Sequence, residues 1–156
     1  PDEAARFVAN LPAGASQNSA TLAVVAQWSY LDPQSAAGWA VSSPEGTLRA
    51  SALQSVARQW ALTDPTGAGP WLESLPAGPS REQAIAAYAG SVSAGYPQSA
   101  VQWADMISNP SLRNGNYETI ARNWLKLDPP AAREWIAQST LPDTRKAALL
   151  GIKLKP

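Results

Sequence analysis

The sequence contains no cysteine and no histidine. Disulfide scaffolds, thiol nucleophiles, zinc fingers and His-based catalytic triads each require one of these two side chains, so all of them are excluded. Catalysis would have to rest on carboxylates, lysine, serine or tyrosine, and no motif gathers such groups. We therefore expect no enzyme, no metal site and no cofactor. A carboxylate-based enzyme built on Asp105, Tyr117 or Glu118 is the least favoured alternative.

The sequence also lacks an excess of either charge and any long apolar run. Twelve Lys and Arg residues balance twelve Asp and Glu residues. Because attachment to nucleic acid requires clustered basic side chains, we expect no nucleic-acid partner, and anionic membrane surfaces are disfavoured likewise. No aliphatic run exceeds five residues, which predicts neither a membrane-spanning helix nor a signal peptide. We expect a soluble chain, and the sequence does not indicate its cellular compartment. A filament would suit a secreted or cell-surface location.

Tryptophan, by contrast, is frequent and periodic. All seven tryptophans fall into two series with a spacing based on 32 residues: Trp28, Trp60 and Trp124 in the first, and Trp39, Trp71, Trp103 and Trp135 in the second. Val92 occupies the gap in the first series, and Phe7 extends the second toward the N-terminus. A fixed period of 20–50 residues is the signature of a repeat architecture.

Other residue types recur with the same period. Proline does so at Pro1, Pro33, Pro65, Pro97 and Pro129, preceded by Asp32, Asp64, Tyr96 and Asp128 at the last four. Arginine does so at Arg49, Arg81, Arg113 and Arg145. These columns divide a single solenoid domain, residues 1–156, into a half repeat at 1–12, repeats at about 13–44, 45–76, 77–110 and 111–142, and a half repeat at 143–156.

Each period carries the pattern of two helices. The apolar face of the first helix is spaced as Thr21, Val24, Val25, Trp28 and Leu31, and then as Leu53, Val56, Ala57 and Trp60. Thr47, Ser80 and Asp143 are the expected caps of such helices. The second helix opens at Asp-Pro, where the carboxylate accepts free backbone N–H groups and proline suits the first helical position. This pattern predicts an all-α solenoid of antiparallel helix pairs.

The predicted architecture, together with the segment LDPPAAREWI at residues 127–136, resembles the tetratricopeptide-like superfamily of helical-hairpin repeats as a divergent Trp/Asp-Pro form. That family's usual repeat is about two residues longer. The resemblance covers the whole chain and implies a right-handed superhelix that binds other proteins. No functional residue of the family has a counterpart here.

Three of the periodic series have a structural and a functional interpretation. We expect the tryptophans in the core rather than on a stacking platform for sugars or peptides, and the aspartates as helix caps rather than cation ligands. The arginines stand near helix starts, where the helix dipole disfavours a positive charge. They either bond carbonyl or acidic groups of an adjacent helix, or form a track for anions or acidic peptides at Arg49, Arg81, Arg113 and Arg145.

The function predicted from these features is a non-catalytic repeat scaffold for protein–protein interaction. Residues 1–10 have the phase of a second helix and residues 144–154 that of a first helix. The partner is therefore expected to be a protein, including another copy of this chain joined head-to-tail into a filament. The predicted self-assembly residues are Phe7, Leu11, Leu149 and Ile152. The alternatives are a monomeric peptide- or carbohydrate-binding module and a fragment of a longer solenoid.

Overall fold

The computed structural model describes residues 2–12, 14–44 and 46–152, which are all-α, with 81% helix and no strand. The prediction of an all-α protein is confirmed. The helices in the described residues are α1 Asp2–Ala9, α2 Ala15–Leu31, α3 Pro33–Ser42, α4 Thr47–Thr63, α5 Pro65–Ser74, α6 Pro79–Val92, α7 Pro97–Asp105, α8 Pro110–Leu127, α9 Pro129–Gln138 and α10 Asp143–Leu150.

Helix length alternates along much of the chain. The long helices α2, α4 and α8 have 17, 17 and 18 residues, and each is followed by a short helix of 10 residues, α3, α5 or α9. A single residue, Asp32, Asp64 or Asp128, separates the two helices of each pair. The chain divides into two compact units, residues 1–88 and 89–156.

The first unit is organised around α2 and α4. Helix α2 packs against α1, α3 and α4, and α4 also packs against α3 and α5. The apolar spacing of α4 places Leu53, Val56 and Trp60 on one buried face, where they are 1%, 0% and 6% exposed. Leu72 of α5 is completely buried as well. Burial of these side chains supplies the main stabilisation of the unit.

In the second unit, α8 packs against α7, α9 and α10. Its buried face carries Ile120 and Trp124, and Ile136 of α9 is also completely buried. The unit also contains polar contacts. In one of them the Asn123 side-chain amide donates a hydrogen bond of 2.7 Å to the hydroxyl of Ser93, which is buried and itself donates to the carbonyl of Gly90. The two bonds satisfy a hydroxyl that would be costly to bury without partners.

Helix caps at the Asp-Pro positions are confirmed. The carboxylates accept hydrogen bonds from the backbone N–H three residues later, at 3.0 Å for Asp32, 2.9 Å for Asp64 and 3.2 Å for Asp128. Two hydrogen bonds from Ser35 hold the pKa of Asp32 below its ordinary value. The bond from the Ser35 hydroxyl has the larger effect, and the bond from its backbone N–H has the smaller one. Tyr96 occupies the same place before α7 and makes no side-chain cap bond.

The caps predicted at Thr47, Ser80 and Asp143 are wrong. Thr47 and Asp143 are the first residues of α4 and α10, and the positions before them are Gly46 and Pro142, with no side-chain cap bond. Ser80 is the second residue of α6 and therefore lies inside that helix. Gly46 has φ 155°, and Gly78 before α6 has φ 154°. Residues that carry a Cβ rarely adopt this backbone conformation, so a glycine is favoured immediately before each of these two helices.

Loss of the Asp64 carboxylate should destabilise the fold by about 0.5–2 kcal/mol, because the first turn of α5 would lose a hydrogen-bond acceptor. The change to test is Asp64→Ala, measured by denaturant unfolding with and without divalent cations. Tyr96→Asp is the converse variant and should stabilise α7 by a similar amount, since it restores the missing cap. If Asp64→Ala lowered the free energy of unfolding only when divalent ions are present, the result would instead indicate a cation site.

Candidate functional site

The arginine series lies half-buried near the starts of α4, α6, α8 and α10. Arg81 Nε donates a hydrogen bond of 3.2 Å to the carbonyl of Leu72, near the end of α5. Arg113 Nη1 donates one of 2.8 Å to the carbonyl of Ile107, just beyond α7. Both carbonyls lie near the negative end of a preceding short helix, so these bonds offset the unfavourable dipole at the arginine's own helix. The carbonyl alternative is thus observed for these two residues, and anion binding by the series stays a prediction.

Arg145 has a different partner, because its Nη1 lies 2.6 Å from Glu118 Oε1 of α8. The other carboxylate oxygen of Glu118 accepts a bond of 2.8 Å from Arg122 Nη2. The three side chains line a cavity of about 340 Å3, together with apolar atoms of Leu125 and Leu149. Both oxygens of Glu118 are engaged by guanidinium groups, so this carboxylate is poorly suited to act as a general base.

Tyr117 and Asp105, the other residues considered for a carboxylate-based enzyme, are hydrogen-bonded to each other. The Tyr117 hydroxyl donates a hydrogen bond of 2.5 Å to Asp105 Oδ1. The pKa of Tyr117 is raised to about 12, mainly because the phenol is buried and secondly because it donates a hydrogen bond to Asp105. The Tyr117 ring packs edge-on against Trp135, with centroids 5.5 Å apart. A neutral tyrosine that is hydrogen-bonded to a carboxylate and packed against an indole fits a structural role in joining α7, α8 and α9.

The raised pKa of Tyr117 predicts a pH dependence of stability. Because the folded state holds the phenol proton more tightly than the unfolded state, stability from this group is complete below pH 10 and falls as pH rises toward about 12. Tyr117→Phe should remove the part of the stability loss at alkaline pH that this phenol causes. Parallel alkaline unfolding of both proteins, with tyrosinate absorbance recorded, measures the difference. Identical alkaline profiles would contradict the assignment.

The two tryptophan series differ in burial. Trp28, Trp60 and Trp124 of the first series are 7%, 6% and 6% exposed, and Val92 at the gap is 6% exposed. All four tryptophans of the second series are only half-buried. The expectation that every tryptophan lies in the core is therefore confirmed for the first series and needs correction for the second. A member of the second series rests against a member of the first in two repeats, with ring centroids 5.4 Å apart for Trp60–Trp71 and 5.8 Å apart for Trp124–Trp135.

In the first unit, the stacked pair Trp60 and Trp71 lines a groove of about 360 Å3. Gly38 and Val41 of α3 and Leu75 after α5 also line it. The half-buried indole of Trp71 therefore borders a recess wide enough for a side chain or one sugar ring.

The residues predicted for self-assembly lie at α1 and α10. Phe7 is 69% exposed and Ile152 is 57% exposed, whereas Leu11 and Leu149 are half-buried. Large apolar side chains exposed to this degree contribute little to the stability of the chain that carries them.

A further group of exposed apolar residues was not predicted from the sequence. Tyr30, Leu31 and Leu62, at the ends of α2 and α4, are 64%, 62% and 68% exposed, and we call these three residues the corner patch. Leu31 was expected in the core and is instead at the surface, because α2 ends there and the chain turns into α3. The second unit repeats the feature at Tyr96 and Leu127, 65% and 56% exposed. The signal in the sequence was a large apolar residue within three positions before the repeated proline, at Leu31, Leu62, Tyr96 and Leu127.

No group of acidic side chains in the described part of the chain is arranged to hold a metal ion. None of the helices described here is long and apolar enough to cross a bilayer. In comparisons with known proteins, no family model, curated protein or solved structure matches this chain.

Proposed function

We propose that the chain is a non-catalytic α-solenoid scaffold that binds protein. Its repeats would stack as antiparallel helix pairs in a right-handed superhelix, as the alternating long and short helices and the resemblance to tetratricopeptide-like repeats suggest. Solenoids of this kind present extended surfaces to partners. The proposal includes no catalytic step, because Glu118 and Asp105 already have their hydrogen-bond partners within the second unit.

The observation that carries the proposal is the corner patch. Helices α2 and α4 pack against each other, and each exposes large apolar side chains at its C-terminal end. Exposed apolar side chains in such a group mark interaction sites more often than isolated ones do. Asp32 and Asp64 are exposed beside the patch. A partner segment with apolar residues flanked by Lys or Arg would match both features.

A displayed library of random peptides tests the proposal directly. Selection on the immobilised protein should enrich peptides that combine apolar and basic residues. Their affinity should fall at least about tenfold for the double variant Leu31→Ser/Leu62→Ser, which corresponds to about 1.4 kcal/mol. Met106→Ser is the matched control, because Met106 is 43% exposed and lies outside the patch. Failure to enrich any peptide, or equal affinity for the double variant, would contradict the proposal.

The second candidate function is a monomeric module that binds a peptide or carbohydrate in the Trp60–Trp71 groove. The half-buried ring of Trp71 supports it, because exposed indole faces pack well against sugar rings and proline. Trp71→Ala separates the two candidates. Binding to a glycan array or to the selected peptides that depends on Trp71, and not on Leu31 and Leu62, would favour the groove.

A further inference from the structure

The groove beside Trp71 is formed by three helices of the first unit. Helices α3 and α5 both pack against α4. Trp60 of α4 and Trp71 of α5 stack with ring centroids 5.4 Å apart, and both rings line the groove, which has a volume of about 360 Å3. Because Trp60 is buried and Trp71 is half-buried, Trp71 provides the accessible aromatic surface.

Gly38 leaves the backbone of α3 accessible at the same groove. It lies inside α3 and is one of the lining residues. Its φ is not positive, and a Cβ there would meet no neighbouring atom within 4 Å, so the fold does not require glycine. Glycine also lowers the stability of a helix relative to residues with a side chain. The equivalent positions of the other repeats carry Pro70, Gln102 and Glu134. Gly38 therefore lowers helix stability at a place where a side chain would occupy space beside the groove.

The lining of the groove favours an apolar ligand without charge. None of the described residues that line it is charged. Its aliphatic surface comes from four side chains, Ala37, Val41, Leu75 and Pro76. Apart from the indoles, its polar side chains are Gln34 and Ser74, and the Ser74 hydroxyl already donates a hydrogen bond of 2.7 Å to the carbonyl of Trp71. A sugar ring has several hydroxyls that each need a partner when buried, so this lining suits a sugar poorly.

We propose that the groove binds a proline-containing segment of a protein partner, with a proline ring packed against Trp71. The inference rests on groove binding, the second candidate function above, and names the class of its ligand. Proline-rich segments form a polyproline II helix without internal hydrogen bonds, so their carbonyl groups can accept a bond from the exposed Gln34 amide. Because this conformation is already formed in solution, its binding to an aromatic-lined groove costs little conformational entropy.

Acidic side chains beside the groove favour basic residues next to the proline. Asp32 and Glu73 are both exposed; Asp32 precedes Gln34 by two residues, and Glu73 directly precedes Ser74. A segment that carries Lys or Arg on both sides of its prolines would complement these carboxylates. Since the charges are exposed, the affinity for such a segment should fall as the salt concentration rises.

A synthetic hexaproline peptide with lysines at both ends is the probe, and titration calorimetry measures its affinity. The parent protein should bind it and should bind the same peptide with alanine in place of proline at least about tenfold more weakly. Gly38→Gln should weaken binding of the proline peptide by a similar factor, because the new side chain occupies space beside Trp71. This variant should keep its fold, since glutamine forms helices better than glycine does, and thermal unfolding checks it.

Gly115→Gln is the matched control for Gly38→Gln. Gly115 also lies inside a helix, α8 of the second unit, and a Cβ there would likewise meet no neighbouring atom within 4 Å. This variant should bind the proline peptide as the parent does. Trp71→Ala removes the ring itself and should lower the affinity at least about tenfold.

Absence of binding by the parent would overturn the inference, and so would affinities of Gly38→Gln and Trp71→Ala that equal the parent's. The double variant Leu31→Ser/Leu62→Ser should bind the proline peptide like the parent, so failure at the corner patch and failure at the groove give separate results. Cellohexaose is the second probe. Binding of cellohexaose that depends on Trp71, without binding of the proline peptide, would keep the groove as a functional site and overturn its assignment to proline.

Discussion

Replacement of Trp60 by alanine is expected to lower the free energy of unfolding by about 3–5 kcal/mol, the usual cost of deleting a buried aromatic side chain. Trp60 is 6% exposed, lies on the buried face of α4 with Leu53 and Val56, and stacks on Trp71 at 5.4 Å. Its removal leaves a cavity between α4 and α5 that neither backbone can easily fill. Equilibrium unfolding in urea, followed by tryptophan fluorescence and circular dichroism, measures the loss.

Trp71→Ala is the matched comparison, because it deletes the other ring of the same stacked pair. Trp71 is half-buried. Part of its surface already contacts water in the folded state, so the expected loss is smaller, about 2 kcal/mol. Equal losses for the two variants would show that the second tryptophan series belongs to the core as fully as the first.

The helices were predictable from the sequence where the determinants are local. The Asp-Pro step combines a cap acceptor with a residue that suits the first helical position, and α3, α5 and α9 begin at these prolines as expected. The apolar spacing in α4 likewise predicted the buried face that includes Leu53 and Trp60. Both signals act within about four residues, so a single sequence carries them.

Burial at the edges of the helices was not predictable in the same way. Leu31 stands three residues after Trp28 and shares its helical face, but α2 ends at Leu31 and that side chain is 62% exposed. Helical spacing defines a direction around the helix axis and contains no information on where a neighbouring helix stops. For the same reason the sequence did not separate the buried tryptophan series from the half-buried one.

Contacts between helices at the candidate site were likewise not predictable from the sequence. The sequence indicated that the arginines need carbonyl or acidic partners, yet the partner of Arg145 is Glu118, 27 residues away on another helix. The column of Glu118 carries Leu22, Gln54 and Ala86 in the other repeats, so the period offered no indication of an ion pair there. Such a pair depends on the reach of two flexible side chains across an interface between helices, which a repeat pattern does not specify.

Leu53→Ala is expected to cost about 2–5 kcal/mol, and the same substitution at Leu62 should change the free energy of unfolding by less than about 0.5 kcal/mol. Both residues lie on α4, so the two variants share the change in side-chain size and nearly the same change in helix propensity. Leu53 is 1% exposed and Leu62 is 68% exposed. The difference between the variants therefore reports the packing of α4 alone. Thermal and urea unfolding of both measure it, and a loss at Leu62 comparable to that at Leu53 would mean that the corner patch is covered in the folded chain and unavailable to a partner.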